Sequence, residues 1–532
     1  MTGRLVLRGG ALADAGATRP ADVAVEGGVI TAVGRVDARR GDRELDATGR
    51  LVLPGLVDAH AHVDGMLGDP VVQRALLRQG VTTVVAGQDG VSYAPGSGAY
   101  ATEYFAAING PHPTYRGGGV AGYLAGVDGA SALNAACLVP AGTVRFEVCG
   151  RRSEPADAAQ RARMAELVAR GMAEGAVGLS SGLDYVPGIF QDAEEIAALC
   201  VPVARRGGVY VSHMRGGYEA NSAEGVAEMA RIAALAASAA GAPLPVHVSH
   251  FHADADIVRA QLTALAEAGV DATFDAYPYT RACTLLAMPL IPPELTVRPV
   301  DDVVRVLADP GERARLRGAC IDRATRSASL GPDWPRMITL AHVAAPEYAW
   351  SHGLTLHDAA ARAGTDAAGF ALDVLAASRL QVNAVMAVRH ERTPEELARV
   401  FAQPGHMGGS DGIFVGAHPH PRARGTFARY LREYVRERGT WSWADAVRHL
   451  SALPVERFGL GARGVVRIGA VADLAVVDPD AVADTATYDQ PLREAIGVDD
   501  VLVAGVPVLA GGALTGALPG RGLRRDGRAG EG

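Results

Sequence analysis

The chain has 532 residues, of which 48% are apolar, 21% charged and 5% aromatic, a length that suits one large domain with a smaller satellite rather than a single small core. Its net charge of −8 argues against the basic surface that phosphate binding requires, and no stretch approaches the roughly 20 uninterrupted apolar residues of a membrane helix, so no nucleic-acid or membrane partner is expected. Every basic side chain is an arginine; the absence of lysine excludes Schiff-base, carbamylated-lysine and P-loop chemistry. The N-terminal MTGRLVLRGGALADAG carries only a short apolar run before a Gly-rich turn, not the longer run and cleavage site of a signal peptide, and a cytoplasmic location is expected. Residues 4–53 then read as short strands broken by Gly and Asp turns, and residues 464–520 repeat that texture, so one β-sandwich built from both chain ends is predicted, its parts at 1–53 and 463–520. Between them, at 54–462, strand-like and helix-like runs alternate. A helix over 154–175 with Ser153 as N-cap is followed by VGLSSG, a helix from Asp192 to Arg206, GVYVSH, a helix from Ser222 to Ala240, LPVHVSH, a helix from Asp254 to Ala268 and VDATFDAY. That rhythm predicts an α/β fold, a (β/α)₈ barrel of parallel strands. Residues 283–400 break it with prolines, and an insertion over the barrel mouth, acting as a lid, is predicted within them; 521–532 read as a disordered tail.

The five cysteines, Cys137, Cys149, Cys200, Cys283 and Cys320, are odd in number, widely spaced and without a CxxC pair, which predicts reduced thiols rather than a disulfide frame. Chemistry concentrates elsewhere. In LVLPGLVDAHAHVD an apolar strand runs into His60 and His62, and residues two apart on a strand share a face, so both imidazoles can reach one metal. Two neighbouring histidines alone say little. Here GVYVSH ends at His213 and LPVHVSH at His250, the strand in VTTVVAGQDG ends at Asp89, and QPGHMGGSDG presents Asp411 after a short Gly-rich segment. Strand C-termini form the functional face of such a barrel, so these six side chains are predicted to converge on a metal site. Imidazole favours zinc, one or two ions, over magnesium. Zinc lowers the pKa of a bound water to about 7, and a carboxylate beside it, assigned to Asp411, can carry the proton from that nucleophile to a leaving nitrogen.

The motifs PGLVDAHAHVD, QGVTTVVAGQDGVSYAP, GLSSGLDY, SHMR, VSHFHA, DAYPYT, GSDG, HPRARGTFARYL and GVVRIGAVADLAVVDPDAVADTATY make the chain resemble, nearly end to end, the N-acyl-D-amino-acid deacylase (D-aminoacylase) family of the amidohydrolase superfamily. The resemblance implies zinc held by His60, His62, His213, His250 and Asp411, with Asp411 as acid/base, acting on a linear amide in a small N-acyl substrate. Two departures stand out. Where the family writes GNCG, with a metal-binding cysteine, this chain has Gly87-Gln88-Asp89-Gly90, so Asp89 takes the thiolate's place with harder ligation. Where the family has a lysine that helps hold the substrate carboxylate, this chain has His252, whose charge is conditional near neutral pH. Arg281 is a candidate replacement clamp, and Tyr185 and Tyr279 are candidate substrate contacts. Hydrolysis of a cyclic amide or imide on the same metal site and a non-catalytic metal-binding relative are the competing readings. Oligomeric state is left open.

Overall fold

Eight parallel strands set the frame of the molecule, a computed structural model in which residues 3–14, 17–217 and 221–525 are described. In chain order they are β1 (Leu56–Asp58), β2 (Val81–Ala86), β3 (Asn134–Pro140), β4 (Gly178–Gly182), β5 (Val209–His213), β6 (Val246–Val248), β7 (Ala272–Ala276) and β8 (His406–Gly408), each bonded to its sequence neighbours from β1 to β8. β2 and β3 are buried at every residue, because helices cover the outside while side chains fill the inside. The ring closes beyond the strand ends. Ala59 N–H donates to the Gly408 carbonyl at 3.0 Å, Asp411 N–H donates to the His60 carbonyl at 2.8 Å, and Ala61–His62 pairs in parallel with Gly412–Ile413. The fold is a (β/α)₈ barrel, and its closure seam brings the His60–His62 segment against Asp411.

The connecting helices follow local capping chemistry. Ser222–Ala240 ends on Gly241, whose φ of 69° supplies the left-handed turn that stops it. Asp192 caps Ala193–Arg205 by accepting the Glu195 N–H at 2.8 Å. The helix expected from residue 154 begins later, at Ala158, where Asp157 and Gln160 cap each other reciprocally and satisfy two amides that Ser153 lies too far upstream to reach. β6 is also shorter than its sequence pattern: it stops at Val248, and His250 sits in the following turn with φ 32°.

Both chain ends build the sandwich. One sheet orders Val29–Gly34, Asp22–Glu26, Leu5–Arg8 and Arg43–Asp46; the other runs through Leu51–Pro54 and Leu474–Val477, paired antiparallel, so the two termini share a sheet. Leu5, Leu7, Val23 and Val25 meet Val52, Leu474, Val476 and Leu502 between the layers. Within the segment predicted as an insertion, Ala282–Leu285, Val382–Met386 and Ile338–Val343 form an antiparallel sheet with Val382–Met386 central, and the helices around it enclose a core of their own. Residues 521–525, expected in a free tail, instead return to the barrel, where Leu523 N–H donates to the Ala135 carbonyl at 2.7 Å; residues 526–532 lie outside the described residues. All five cysteines are free and buried, and no described helix is long and apolar enough to cross a membrane.

Candidate metal centre

The C-terminal ends of β1, β2, β5, β6 and β8 deliver six ligand-type side chains to one buried spot, in two groups that share Asp89: His60, His62, Asp89 and Asp411, and Asp89, His213 and His250. Asp89 Oδ1 lies 3.6 Å from His60 Nε2 and 3.7 Å from His250 Nε2; its Oδ2 lies 3.5 Å from His62 Nε2 and 3.8 Å from His213 Nδ1. Asp411 Oδ1 is 3.2 Å from His62 Nε2 and 3.8 Å from His60 Nε2. These gaps exceed hydrogen-bond length for most pairs, yet all six groups are desolvated. Asp89, His250 and Asp411 hold φ values of 53°, 32° and 47°, a left-handed backbone that non-glycine residues rarely adopt and that clusters where function demands it.

The donor set fits a cation. His60 is wholly buried, and its Nε2, like Asp89 Oδ1, finds no hydrogen-bond partner among the described residues; such orphaned atoms cost free energy unless something occupies the space between them. Burial opposes a charged imidazole at His62, but Asp411 and Asp89 push its pKa up to about 10, so the pocket draws positive charge inward. Burial pushes the Asp89 carboxyl up, and the surrounding histidines, His60 foremost, more than offset that and hold it well below the usual range. Four imidazoles with two carboxylates is a zinc-type rather than a magnesium-type set.

A second layer orients these ligands. Asp275 on β7 faces His60 Nδ1 at 3.3 Å and His247 Nε2 at 3.0 Å, and accepts the His250 N–H at 2.9 Å. Asn109 Oδ1 meets His62 Nδ1 at 2.9 Å, and Asp184 Oδ2 meets His213 Nε2 at 3.3 Å. Asp58 ties the GSDG turn to β1, accepting the Ser410 N–H at 2.8 Å and its hydroxyl at 2.5 Å. Carboxylates that fix ligand histidines typically contribute about 10- to 100-fold in metal affinity. Asp275→Ala is accordingly expected to weaken zinc retention by about that factor in a chelator competition, and unchanged retention there would show that Asp275 orients nothing.

A cavity of about 220 Å³ adjoins this cluster, lined by His213, His250 and Asp411 and by residues of the 283–400 stretch such as Met288, Leu330 and Arg392. A larger cavity, about 500 Å³ beside His112 and Tyr123, gathers no comparable ligand set among the described residues. Of the predicted substrate contacts, Tyr185, His252 and Arg281 line the 220 Å³ cavity. Tyr185 is anchored by its hydroxyl to Thr284 Oγ1 at 2.9 Å. Arg281 sits at the rim, stacked on Tyr488 at 4.2 Å and 3.7 Å from Glu391. Tyr279 is placed elsewhere, packed among His420, Tyr488 and Arg429, and Tyr277 lines the cavity in its stead. At His252 burial, then Arg392, His250 and Arg422, hold the imidazole well below the ordinary value, with Asp411 opposing them, which disfavours its charged form.

Several residues that touch the ligand cluster escaped the sequence pattern. Arg422, wholly buried, places Nη1 2.9 Å from Asp411 Oδ2 and stacks over Tyr277 at 4.6 Å. It lies in the HPRARG motif, and Asp184 adjoins Tyr185 in GLDY, so both were within sight; Asp275 shows only as a strand-end carboxylate in ATFDAY. His406, five residues before Asp411, packs against Phe401 and Trp441 and is not part of the cavity lining.

Residues 43–509 match the family model described as the amidohydrolase family. The chain is 32% identical to the D-aminoacylase of Alcaligenes xylosoxydans xylosoxydans, over 98% of this chain and 97% of that one, and 32% identical to the N-acyl-D-glutamate deacylase of the same organism, over 98% and 96%. Among solved structures, the N-acyl-D-glutamate deacylase of Bordetella bronchiseptica, complexed with zinc and a phosphonate mimic of the tetrahedral intermediate, superposes with a TM-score of 0.79 at 31% identity, covering 98% of this chain and all of that one (100%).

Proposed function

The chain belongs to the amidohydrolase family, and on that premise we propose that it is a zinc-dependent hydrolase that removes the acyl group from an N-acyl-D-amino acid or a closely related small N-acyl compound. The observation that carries this reading is the sharing of Asp89 between two buried ligand groups under a cavity of small-molecule size. His60, His62 and Asp411 would hold a metal on one side of Asp89, and His213 and His250 on the other, with one or two ions bound. Zinc bound there supplies Lewis-acid polarisation of the scissile carbonyl and a nucleophile available near neutral pH.

The protein's own groups do the rest. Arg422 clamps Asp411 Oδ2 at 2.9 Å, which leaves Oδ1 facing the ligand cluster as the atom that takes a proton from the attacking water. Burial pushes the Asp411 carboxyl up, but Arg422 and the histidines hold it far below the usual range, so it passes the proton on readily to the leaving nitrogen. Residues of the 283–400 stretch line the same cavity, and in this reading they shield the reacting amide from water.

Metal analysis with a panel of N-acetyl-D- and N-acetyl-L-amino acids tests the reading. Zinc in stoichiometric amount and turnover of D-substrates are expected; a protein that neither retains nor is activated by zinc would falsify it. Asp89 itself gives a sharper result. Asp89→Ala is expected to lose metal, whereas Asp89→Cys, which supplies the softer thiolate, is expected to keep zinc at chelator concentrations that strip the wild type. Full occupancy and rate in Asp89→Ala would mean that the centre assembles without this carboxylate.

A further inference from the structure

Met288 stands in the short helix Ala287–Leu290 of the inserted segment, and its side chain is wall to two cavities at once. On one side is the 220 Å³ cavity over the ligand cluster; on the other is a second of about 20 Å³. Asp184 is shared by both, and its carboxylate meets His213 at 3.3 Å, so the partition stands at the edge of the ligand cluster itself. The small cavity is mostly apolar, with Val186, Ile189, Leu285 and Ile291 in its walls and Arg323 as a polar member. Its volume is that of about one water, too little for an alkyl chain while Met288 stays where it is. The side chain is held: Thr284 Oγ1 donates to Met288 Sδ at 3.8 Å, and Tyr185 pairs with Thr284 at 2.9 Å.

We propose that Met288 is a specificity-determining residue that sets the length of the apolar group, acyl chain or amino-acid side chain, that a substrate can extend past Asp184. This rests on the N-acyl-amino-acid reading above. Removing the thioether would join the two cavities into one apolar slot, and each further methylene buried there strengthens binding by about fourfold. Met288 thus acts by occupying space, not by touching the reacting atoms.

The test uses zinc-loaded wild type and Met288→Ala on two substrate series. One lengthens the acyl group from acetyl through butanoyl to hexanoyl on D-alanine; the other keeps acetyl and lengthens the side chain from D-alanine through D-norvaline to D-norleucine. The quantity read is kcat/KM for the longest member divided by that for the shortest. Met288→Ala is expected to raise this ratio at least tenfold in one series, and the series that responds identifies the group facing Met288. Met288→Val, a milder truncation, is expected to move it the same way by less, which protects the test against misfolding of the alanine variant. Ratios within twofold of wild type in both series for both variants overturn the proposal. If no N-acyl amino acid is turned over at all, the functional reading fails, and Met288 is judged by two chelating probes instead. Hexanohydroxamate gaining at least tenfold in affinity over acetohydroxamate in Met288→Ala then supports the partition, and an unchanged affinity ratio overturns it.

Discussion

Asp411→Asn is expected to keep its metal and its fold while kcat falls by about 10²- to 10⁴-fold, the usual contribution of a positioned general base. The substitution preserves size and shape on a turn whose backbone is already fixed: Asp411 N–H donates to the His60 carbonyl at 2.8 Å, and Ser410 beside it is held by Asp58. An asparagine carbonyl oxygen can still face Arg422, where Oδ2 now lies 2.9 Å from Nη1, and His60, His62, Asp89, His213 and His250 remain as ligands. What disappears is the ability to accept a proton. Metal content by elemental analysis, set beside steady-state kcat, separates the two roles. Loss of metal in proportion to rate would make Asp411 mainly a ligand. A near wild-type kcat would move proton transfer to another carboxylate, and Asp184, which lines the cavity and meets His213 at 3.3 Å, is the next to substitute.

His213→Ala and His250→Ala are each expected to remove metal and activity together. These two imidazoles and Asp89 form a group of only three donors, so losing one leaves two, and Asp89 is also claimed by the histidines across from it. Lewis-acid stabilisation of the transition state is worth several kcal/mol, and at about 1.4 kcal/mol per tenfold its loss lowers the rate roughly 10³-fold or more. The fold is expected to survive, because both side chains reach a cavity wall rather than the apolar core. Circular dichroism checks that point, and His357→Ala serves as control, since His357 is a half-exposed partner of Arg336 and Asp358. Retained zinc with retained rate in either variant would show that the second ligand group is not a metal site.

The position of the centre was readable from the order of residues because a barrel strand announces itself. A run such as VTTVVA is apolar throughout and stops where the chain reaches the functional face, so a polar ligand immediately after it stands out. Asp89 follows such a run within three residues, as does His213; His60 and His62 come just past Leu56–Asp58, His250 just past Val246–Val248, and Asp411 follows the Gly-rich HMGGS instead. The sandwich was readable for a related reason: alternating β-branched residues and Gly/Asp turns recur at both ends. Tyr279 shows the limit. In DAYPYT either tyrosine could face the cavity, and only the path of the chain after β7 turns Tyr277 inward and Tyr279 against Tyr488.

The sequence by itself determined which His and Asp side chains gather past the strand ends, the absence of any lysine chemistry and the α/β architecture, because these depend on residue type and on periodicities of a few residues. Tertiary structure alone decided which groups act on those ligands. Asp275 is more than 200 positions from His60, yet 3.3 Å from its ring, and Asn109, Asp184 and Arg422 likewise reach the ligands from separate connections. It decided the surroundings of His252 as well: folding buries that imidazole beside Arg392, far along the chain, and both lower its pKa. Desolvation and Coulomb interactions act over a few ångströms of space, and separation along the chain carries no information about either.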